Sequence, residues 1–169
     1  IFGGTGASPA LMAKCVSECR ELVFMSRNGR FLARVEGEVN GNVLLRRKQY
    51  RTADDSGQSL GIAKNIISAK LYNSRWTLER TIRDHSLRID TELFKSKSIY
   101  LKNAIDSTIN AENIDTLRGI EGEAASVYFS VFNDMILQQK DDFRFIGRNR
   151  RPPLDRVNAM LSFAYSLCT

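Results

Sequence analysis

The segment LRGIEGEAASVYFSVF, residues 117–132, has the strongest helical pattern of the chain. Apolar side chains recur in it at every third or fourth position, which is the spacing of one face of an α-helix. The pattern runs from Ile114 to about Lys140, with Asp115 or Thr116 as the candidate N-cap, so it predicts one long helix. Its apolar stripe consists of Leu117, Ile120, Ala124, Tyr128, Val131 and Met135, with Ala125 and Phe132 beside it.

Glu121 falls on the same face as this stripe, whereas Glu123 is rotated away and is predicted to be solvated. A carboxylate aimed into a helical core is costly unless it is paired or binds a metal. Gly119 and Gly122 flank it, and small residues there would let another backbone or a ligand approach closely. Two interpretations stay open at this point. Glu121 is either a metal ligand, or a glutamate that is bridged to an arginine or placed at the edge of the apolar face.

Helical periodicity also extends through the rest of the chain after residue 42, on both sides of this segment. The predicted elements are a short basic helix over 43–52, a loop over 53–59, a helix over 59–84 that includes Lys70 in its apolar steps, a helix with a candidate break over 87–109, a loop over 140–152 and a last helix from Pro153 through Cys168.

Residues 1–42 have mixed character. Ser8 before Pro9 predicts a helix N-terminus, and this helix continues to about Arg20. Two apolar runs over 21–26 and 30–36 surround an Asn-Gly turn, which predicts a β-hairpin. Residues 37–42 contain two glycines and two asparagines, which is typical of a linker. The predicted fold class is α+β, mostly α, with a truncated N-terminal β lobe at 1–42 and a helical lobe at 43–169.

The charge balance favours an anionic partner. Lys and Arg total 25 against 19 acidic residues, a net charge of +6 with a pI near 9.4. Nucleic acid is the first candidate, and a basic but otherwise ordinary protein is the alternative. No apolar run of about 18 residues predicts a membrane helix, so no membrane partner is expected. The three cysteines lack the paired spacing of a zinc site and are interpreted as reduced thiols of a cytoplasmic protein.

Two basic segments are candidates for phosphate binding. The run GRNRRPP, residues 147–153, places Arg148, Arg150 and Arg151 just before a predicted helix N-terminus, where free N–H groups attract phosphate. In the helix that follows, Asn158 lies on the apolar stripe, and a polar amide there needs a partner. Arg46 and Arg47 form a second basic cluster, suited to tracking a phosphate backbone. A solvated surface is the alternative for both segments.

Several of these segments together resemble one known family. LRGIEGEAA, residues 117–125, resembles the signature helix of the CRISPR-associated adaptation integrase, the universal spacer-acquisition nuclease. GRNRRPPLDRVNAMLSFAY, residues 147–165, resembles the segment that follows it in that family. Residues 29–37 and 41–47 resemble the end of the β lobe in subtype I-C members, and ASPALM, residues 7–12, fits the same subtype. The matches keep the family's order and span nearly the whole chain.

The resemblance implies an architecture and a function. The family joins an N-terminal β lobe, which helps to make a homodimer, to a helical catalytic lobe. Two dimers clamp a small ferredoxin-like partner subunit, and the assembly inserts short foreign DNA into the CRISPR repeat array in antiviral defence. The resemblance also implies a metal-dependent DNA endonuclease and integrase whose Mg²⁺ or Mn²⁺ is held by Glu, His and Asp. The Glu corresponds to Glu121, and Asn158 becomes a candidate for orienting the metal shell or a DNA phosphate.

The resemblance further predicts that the chain is a fragment lacking both ends, since it starts with Ile1 and stops at Thr169 inside a helical pattern. The family's His and Asp belong to segments beyond Thr169. His85 precedes the signature helix and cannot replace that histidine. We therefore expect an incomplete metal site and an inactive fragment, and the alternative is a non-catalytic DNA-binding or dimerisation module.

Overall fold

The computed structural model of the protein describes residues 1–38 and 41–168. The elements in chain order are α1 (Pro9–Ser17), β1 (Leu22–Met25), β2 (Phe31–Val35), α2 (Val43–Asp54), α3 (Ser56–His85), α4 (Thr91–Asn110), α5 (Ile114–Ser130), a 3₁₀ turn (Phe132–Met135) and α6 (Arg156–Cys168). This is an α+β fold that is mostly α, as predicted. The chain divides into two compact units: Ile1–Arg46 together with the chain from Phe163 onward, and Arg47–Ser162.

The hairpin of the first unit forms as the sequence predicts. β1 and β2 pair antiparallel, with Leu22 opposite Val35, and Gly29 closes the turn at a φ of +75° that favours glycine. A register shift follows Phe24, since the partner strand carries one extra residue there. Phe2 adds a parallel bridge to Met25 on the other side of β1. The hairpin is therefore extended by one short contact at its β1 edge.

Helix α1 begins where the sequence predicts it. The Ser8 hydroxyl accepts a hydrogen bond from the Leu11 backbone N–H (3.2 Å), and Pro9 is the first helical residue. The chain passes close to this helix again at Gly37, where a Cβ atom would lie 2.2 Å from Cγ1 of Val16. Gly37 therefore belongs to the packing of this unit. Of the linker predicted over 37–42, residues 39 and 40 lie outside the described residues.

Helices α2 and α3 are separated by one residue, so the loop predicted over 53–59 is wrong. Asp55 is that residue, and its carboxylate accepts a hydrogen bond from the Gln58 backbone N–H (2.9 Å) as the N-cap of α3. Because this cap lets the helix start at once, α3 begins at Ser56 and tolerates Gly57 in its first turn.

Helices α4 and α5 also begin at side-chain caps. Asp90 caps α4, which starts later than predicted and is unbroken, and Asn113 caps α5 in place of the predicted Asp115 or Thr116. The predicted extension of α5 to about Lys140 is wrong, because the helix ends at Ser130. Aromatic packing explains this end: the rings of Phe129, Phe132 and Phe145 lie 5.0 to 5.7 Å apart, and the Asn133 side chain accepts a hydrogen bond from the Phe145 backbone N–H.

The core of the second unit lies between α3, α4 and α5. Its fully buried apolar side chains come from these three helices and from Val131 just after them, and they are Leu71, Leu78, Phe94, Leu101, Ala124 and Val131. Two hydroxyl groups of α4 are buried as well, and both have partners. The Ser98 hydroxyl meets Glu79 and Arg75 of α3, and the Thr108 hydroxyl donates to the Ala104 carbonyl. In the described part of the chain, no helix has the length and apolar character needed to cross a membrane.

Candidate functional site

Glu121 lies near the middle of α5, at the rim of the helical core. The helix is fixed by its Asn113 cap and by the buried side chains of Leu117 and Ala124. Glu121 is one turn after Leu117 and three residues before Ala124, so it points along the same side of the helix. Its side chain keeps 27% of its surface exposed. The position is therefore at the edge of the apolar face, with access to solvent.

The carboxylate of Glu121 is paired with a lysine. Lys70 on α3 donates a hydrogen bond from Nζ to Oε1 of Glu121, across the contact between α3 and α5. The Lys70 side chain is half exposed, and its neighbour Leu71 is buried in the core. The charge at the apolar edge is thus balanced by a charge of opposite sign. This is the bridged glutamate that the sequence left open, with lysine in place of arginine.

The described residues do not fit a metal site. Within residues 1–38 and 41–168 there is no group of three or more His, Cys, Asp or Glu side chains that could hold a metal ion. Mg²⁺ and Mn²⁺ need several oxygen ligands in a defined geometry, and Glu121 offers a single carboxylate whose partner is an ammonium group. His85 is an exposed residue at the end of α3. No reaction step through a metal follows from these residues alone.

Glu123 has a partner as well, which the sequence did not predict. It is exposed, but its carboxylate accepts a hydrogen bond from the hydroxyl of Tyr100 on α4. This bond, together with burial of the phenol, raises the pKa of Tyr100 above its usual value. The two glutamates of α5 therefore contact different helices: Glu121 meets Lys70 on α3, and Glu123 meets Tyr100 on α4.

The loop before α6 carries the three predicted arginines, and Asn158 organises it. The Asn158 side chain is fully buried. Its amide oxygen accepts hydrogen bonds from the Arg148 guanidinium (2.8 Å) and the Asn149 backbone N–H (3.0 Å), and its amide nitrogen donates to the Gly147 carbonyl (2.8 Å). Asn158 thus has no surface available for direct contact with DNA in this conformation, and its position lets it act through the shape of the loop.

The three arginines of this loop differ in exposure. Arg148 is half buried and holds Asn158, whereas Arg150 and Arg151 are exposed on the outer side of the loop. Exposed arginine side chains can donate paired hydrogen bonds to phosphate oxygens. The geometry therefore separates one arginine that shapes the loop from two that are accessible to a ligand.

The N-terminus of α6 differs from the prediction. The helix begins at Arg156 rather than Pro153, because Asp155 caps it by accepting a hydrogen bond from the Asn158 backbone N–H (2.7 Å). A carboxylate in this place satisfies the terminal N–H group and compensates the helix dipole. The N–H group of this helix terminus, which the sequence predicts to attract phosphate, is therefore bound by the protein's own Asp155.

Arg46 and Arg47 lie side by side on α2, and both are exposed. Asn42 caps this helix by accepting hydrogen bonds from the backbone N–H groups of Leu44 and Leu45 (3.0 and 3.1 Å). The Arg46 guanidinium lies over Gly41, where a Cβ atom would come within 2.8 Å of it. The basic cluster that the sequence predicts is therefore present on the surface of α2.

Two residues that contact the glutamates of α5 were not predicted from the sequence: Lys70, which meets Glu121, and Tyr100, which meets Glu123. A signal for Lys70 existed, because it occupies a position in the apolar periodicity of α3 where a charge needs a partner. Nothing in the sequence indicated that this partner is Glu121, since the two residues are 51 positions apart. For Tyr100 there was no comparable signal.

The chain is similar to proteins of known families along its whole length. The family model described as "CRISPR associated protein Cas1" matches residues 1–169. The chain is 45% identical over 168 residues to "CRISPR-associated endonuclease Cas1 1" of Chlorobaculum tepidum, covering 99% of the chain and 49% of that relative. It is 45% identical over 177 residues to "CRISPR-associated endonuclease Cas1 2" of Rhodospirillum rubrum, covering 100% of the chain and 49% of that relative. The chain thus spans about half the length of these curated relatives.

Solved structures show the same fold. A CAS1 protein from Thermotoga maritima superposes with a TM-score of 0.70 at 24% identity, covering 98% of this chain and 49% of that one. A chain of a Cas6-RT-Cas1–Cas2 complex superposes with a TM-score of 0.68 at 23% identity, covering 98% of this chain and 18% of that one. At these identities the likeness concerns the fold alone.

Proposed function

Because the chain belongs to the family of CRISPR associated protein Cas1, we propose that it is part of a DNA endonuclease and integrase of CRISPR spacer acquisition. The observation that carries this proposal is the match over all 169 residues, together with relatives that are named CRISPR-associated endonucleases. The same proposal assigns the chain to subtype I-C, and the segments that resemble the I-C pattern support this assignment. The protein acts in the cytoplasm, on DNA.

The proposed activity depends on Mg²⁺ or Mn²⁺, and Glu121 supplies one ligand. The other two, a His and an Asp, come from sequence beyond these 169 residues, so the chain is a fragment with an incomplete site. Support comes from the position of Glu121, at an apolar edge with part of its surface exposed. One carboxylate holds a hard cation weakly without further oxygen or nitrogen ligands. The fragment alone is therefore inactive in this proposal.

DNA is held mainly through its phosphates. Arg150 and Arg151 make the contacts from the loop before α6, and Arg46 and Arg47 add contacts from α2. Their exposure and the net charge of +6 support this assignment. Arg148 and Asn158 bind DNA indirectly, because the hydrogen bond between them keeps the loop in shape.

The proposed partners are a second copy of the chain, through its β lobe, and the small ferredoxin-like subunit of CRISPR adaptation. A similar chain occurs in a complex named Cas6-RT-Cas1–Cas2, which supports a multi-subunit assembly. The exposed residues of β2, among them Phe31 and Leu32, support pairing through this lobe. An exposed strand edge with apolar side chains is a surface to which a second strand or subunit can add.

A non-catalytic DNA-binding or dimerisation module is the second candidate. One observation favours it: the described residues contain no group of three possible metal ligands. This module would bind DNA through the same arginines without cutting it. The two candidates therefore differ in the effect of a change at Glu121.

The catalytic proposal is tested by Glu121→Gln in the intact protein, which keeps the shape of the side chain and removes its charge. We expect loss of Mn²⁺-dependent cleavage and strand transfer, with the fold retained and no loss of DNA binding. Glu123→Gln is the matched control, since it lies two residues away on the same helix and meets Tyr100 instead. Full activity of Glu121→Gln would refute the catalytic role. Metal-dependent activity of the 169-residue chain alone would refute the incomplete site.

The DNA proposal is tested by replacing Arg150 and Arg151 with Ala. Binding to all sequences should weaken alike, and the dependence of log K on log salt concentration should flatten by about 2 for two lost phosphate contacts. Replacing Arg80 and Arg83 is the control, because both side chains are paired with Asp84 on the surface of α3. An unchanged salt slope in the loop variant would rule out this contact.

A further inference from the structure

Lys70 occupies an unusual place for a lysine. It lies in the middle of α3, directly before Leu71, which is 2% exposed in the core. The ammonium of its side chain reaches Glu121 on α5. Long basic side chains commonly cover apolar surface while the charged end stays near solvent. The ammonium is therefore held at the rim by one carboxylate, with half of the side chain exposed.

A lysine on the same helix shows what a purely structural contact looks like. Lys64 donates a hydrogen bond from Nζ to the backbone carbonyl of Ile109 at 2.8 Å, and so ties α3 to the end of α4. That acceptor belongs to the fold and keeps its place. The acceptor of Lys70 is the Glu121 side chain, which in the proposed function binds a metal ion instead. The two lysines therefore differ in whether their partner can be taken away.

The contact between Lys70 and Glu121 can be exchanged for another at low cost. Ion pairs between partly exposed side chains contribute little to folding. An ammonium group has three donors, and the described contacts of Lys70 use one of them for Glu121. A second acceptor with negative charge can therefore bind the same ammonium while the rest of the helix stays unchanged.

We propose that Lys70 is a phosphate-binding residue for the DNA backbone and that Glu121 masks it. This rests on the proposed function, in which DNA is bound and Glu121 turns to another partner. The inference rests on one observation: the group that neutralises the Glu121 carboxylate in this structure is the Lys70 ammonium, not a set of metal ligands around a cation. Once Glu121 no longer holds it, that ammonium is a compact cation beside the proposed reaction site, and phosphate oxygens are its natural acceptors.

The test is a double-mutant cycle on DNA binding, measured by fluorescence anisotropy with a labelled duplex, in EDTA and over a salt series. The variants of the intact protein are Glu121→Gln, Lys70→Met and both together. Glu121→Gln should bind DNA several-fold more tightly and steepen the salt slope by about 0.9, the value for one added phosphate contact. The double variant should return to the wild-type slope, and Lys70→Met alone should change it little.

Two further variants make the result specific. In the Glu121→Gln background, Lys70→Arg should keep the steeper slope, because arginine also binds phosphate. Lys64→Met in that background should keep it too, since Lys64 holds a backbone carbonyl. Circular dichroism of each variant checks that the helices are intact, so that a loss of slope is not a loss of fold.

The outcomes separate this inference from the function on which it rests. If Glu121→Gln increases DNA affinity as much in the Lys70→Met variant as in the wild type, the proposal is overturned, because the change in net charge alone would then explain the increase. No gain from Glu121→Gln would overturn it as well. Absence of DNA binding by the wild-type protein would overturn the proposed function together with the inference. If Glu121→Gln abolishes cleavage but the four proteins of the cycle have the same DNA affinity and salt slope, the proposed function stands and only the role of Lys70 is refuted.

Discussion

The two compact units of this protein differ in how they are held together. Residues 47–162 contain all the buried side chains of the described chain, and Phe94, Leu78 and Leu101 there have no exposed surface. Among the described residues of 1–46 and 163–168, none is buried, and Phe31 and Leu32 are each 57% exposed. One unit therefore has a core of its own, while the other is held by hydrogen bonds and half-buried contacts.

This difference follows from the number of elements that each unit can pack. Three long helices enclose a common interior, so apolar side chains from α3, α4 and α5 leave water together. A two-stranded sheet and a short helix enclose little volume, and such a small sheet is marginally stable by itself. The exposed apolar side chains of the first unit then suit contact with a further surface, as the proposed homodimer requires.

The largest expected effect tests whether only the helical unit has a core. Phe94→Ala should lower the free energy of unfolding by about 3–5 kcal/mol, because it leaves a cavity among fully buried side chains. The same replacement at the exposed Phe31 should cost no more than about 0.5 kcal/mol. Urea unfolding followed by helical circular dichroism measures the first change, and hydrogen exchange of hairpin amides at low protein concentration measures the second. Equal losses would show that the first unit has a core after all.

A smaller effect contrasts two glycines, one in each unit. Gly37→Ala should destabilise the first unit by about 1–3 kcal/mol, because the new Cβ meets the stiff side chain of Val16 at 2.2 Å. Gly119→Ala in α5 should instead stabilise the helical unit by up to about 1 kcal/mol, since nothing lies within 4 Å of the new Cβ. Hydrogen exchange of hairpin amides reports the first change, and urea unfolding reports the second.

Each glycine variant has its own check. Adding Val16→Ala to Gly37→Ala should restore protection of the hairpin, because it removes the atoms that collide. A Gly119→Ala variant that is more stable but less active in the intact protein would indicate that another backbone or a ligand approaches α5 there. Destabilisation by Gly119→Ala in the 169-residue chain would contradict the open space beside this helix.

The smallest expected effect is a pH dependence confined to the helical unit. The hydrogen bond to Glu123 and burial raise the pKa of Tyr100 above its ordinary value of 10.0. A pKa that is higher in the folded state than in the unfolded state stabilises the folded protein. This stabilisation is fully present at pH values below the unfolded-state pKa and is lost as the pH rises through the folded-state pKa. Unfolding free energy should therefore fall above about pH 10 in the wild type, and Tyr100→Phe should remove this component.

The control for this pH series is Tyr72→Phe. Tyr72 is half exposed and its ring packs edge-on against Trp76 at 5.9 Å, so removing its hydroxyl should leave the component due to Tyr100 in place. If the free energy of unfolding falls by the same amount at alkaline pH in Tyr100→Phe and in the wild type, groups other than Tyr100 cause the fall.

Local features of the fold could be predicted from the sequence. The Ser8 cap of α1 and the Asn-Gly turn of the hairpin form as expected, because hydrogen bonds within three or four residues decide them. Helical periodicity also identified the stretches that become α3, α4 and α5. The predicted ends of these helices were less accurate. Asp55 alone separates α2 from α3 where a loop was predicted, and α5 stops at Ser130 because aromatic rings from two segments meet beyond it.

The sequence by itself therefore determined that this protein is mostly helical, which Glu lies on the inner side of α5 and which loop carries the arginines. Only the tertiary structure decided what those residues touch. It set Lys70 against Glu121, buried Asn158 beneath Arg148 and placed Asp155 at the helix terminus expected to attract phosphate. The physical reason is range: periodicity and capping act over a few residues, whereas the partner of a charge depends on which helices pack together.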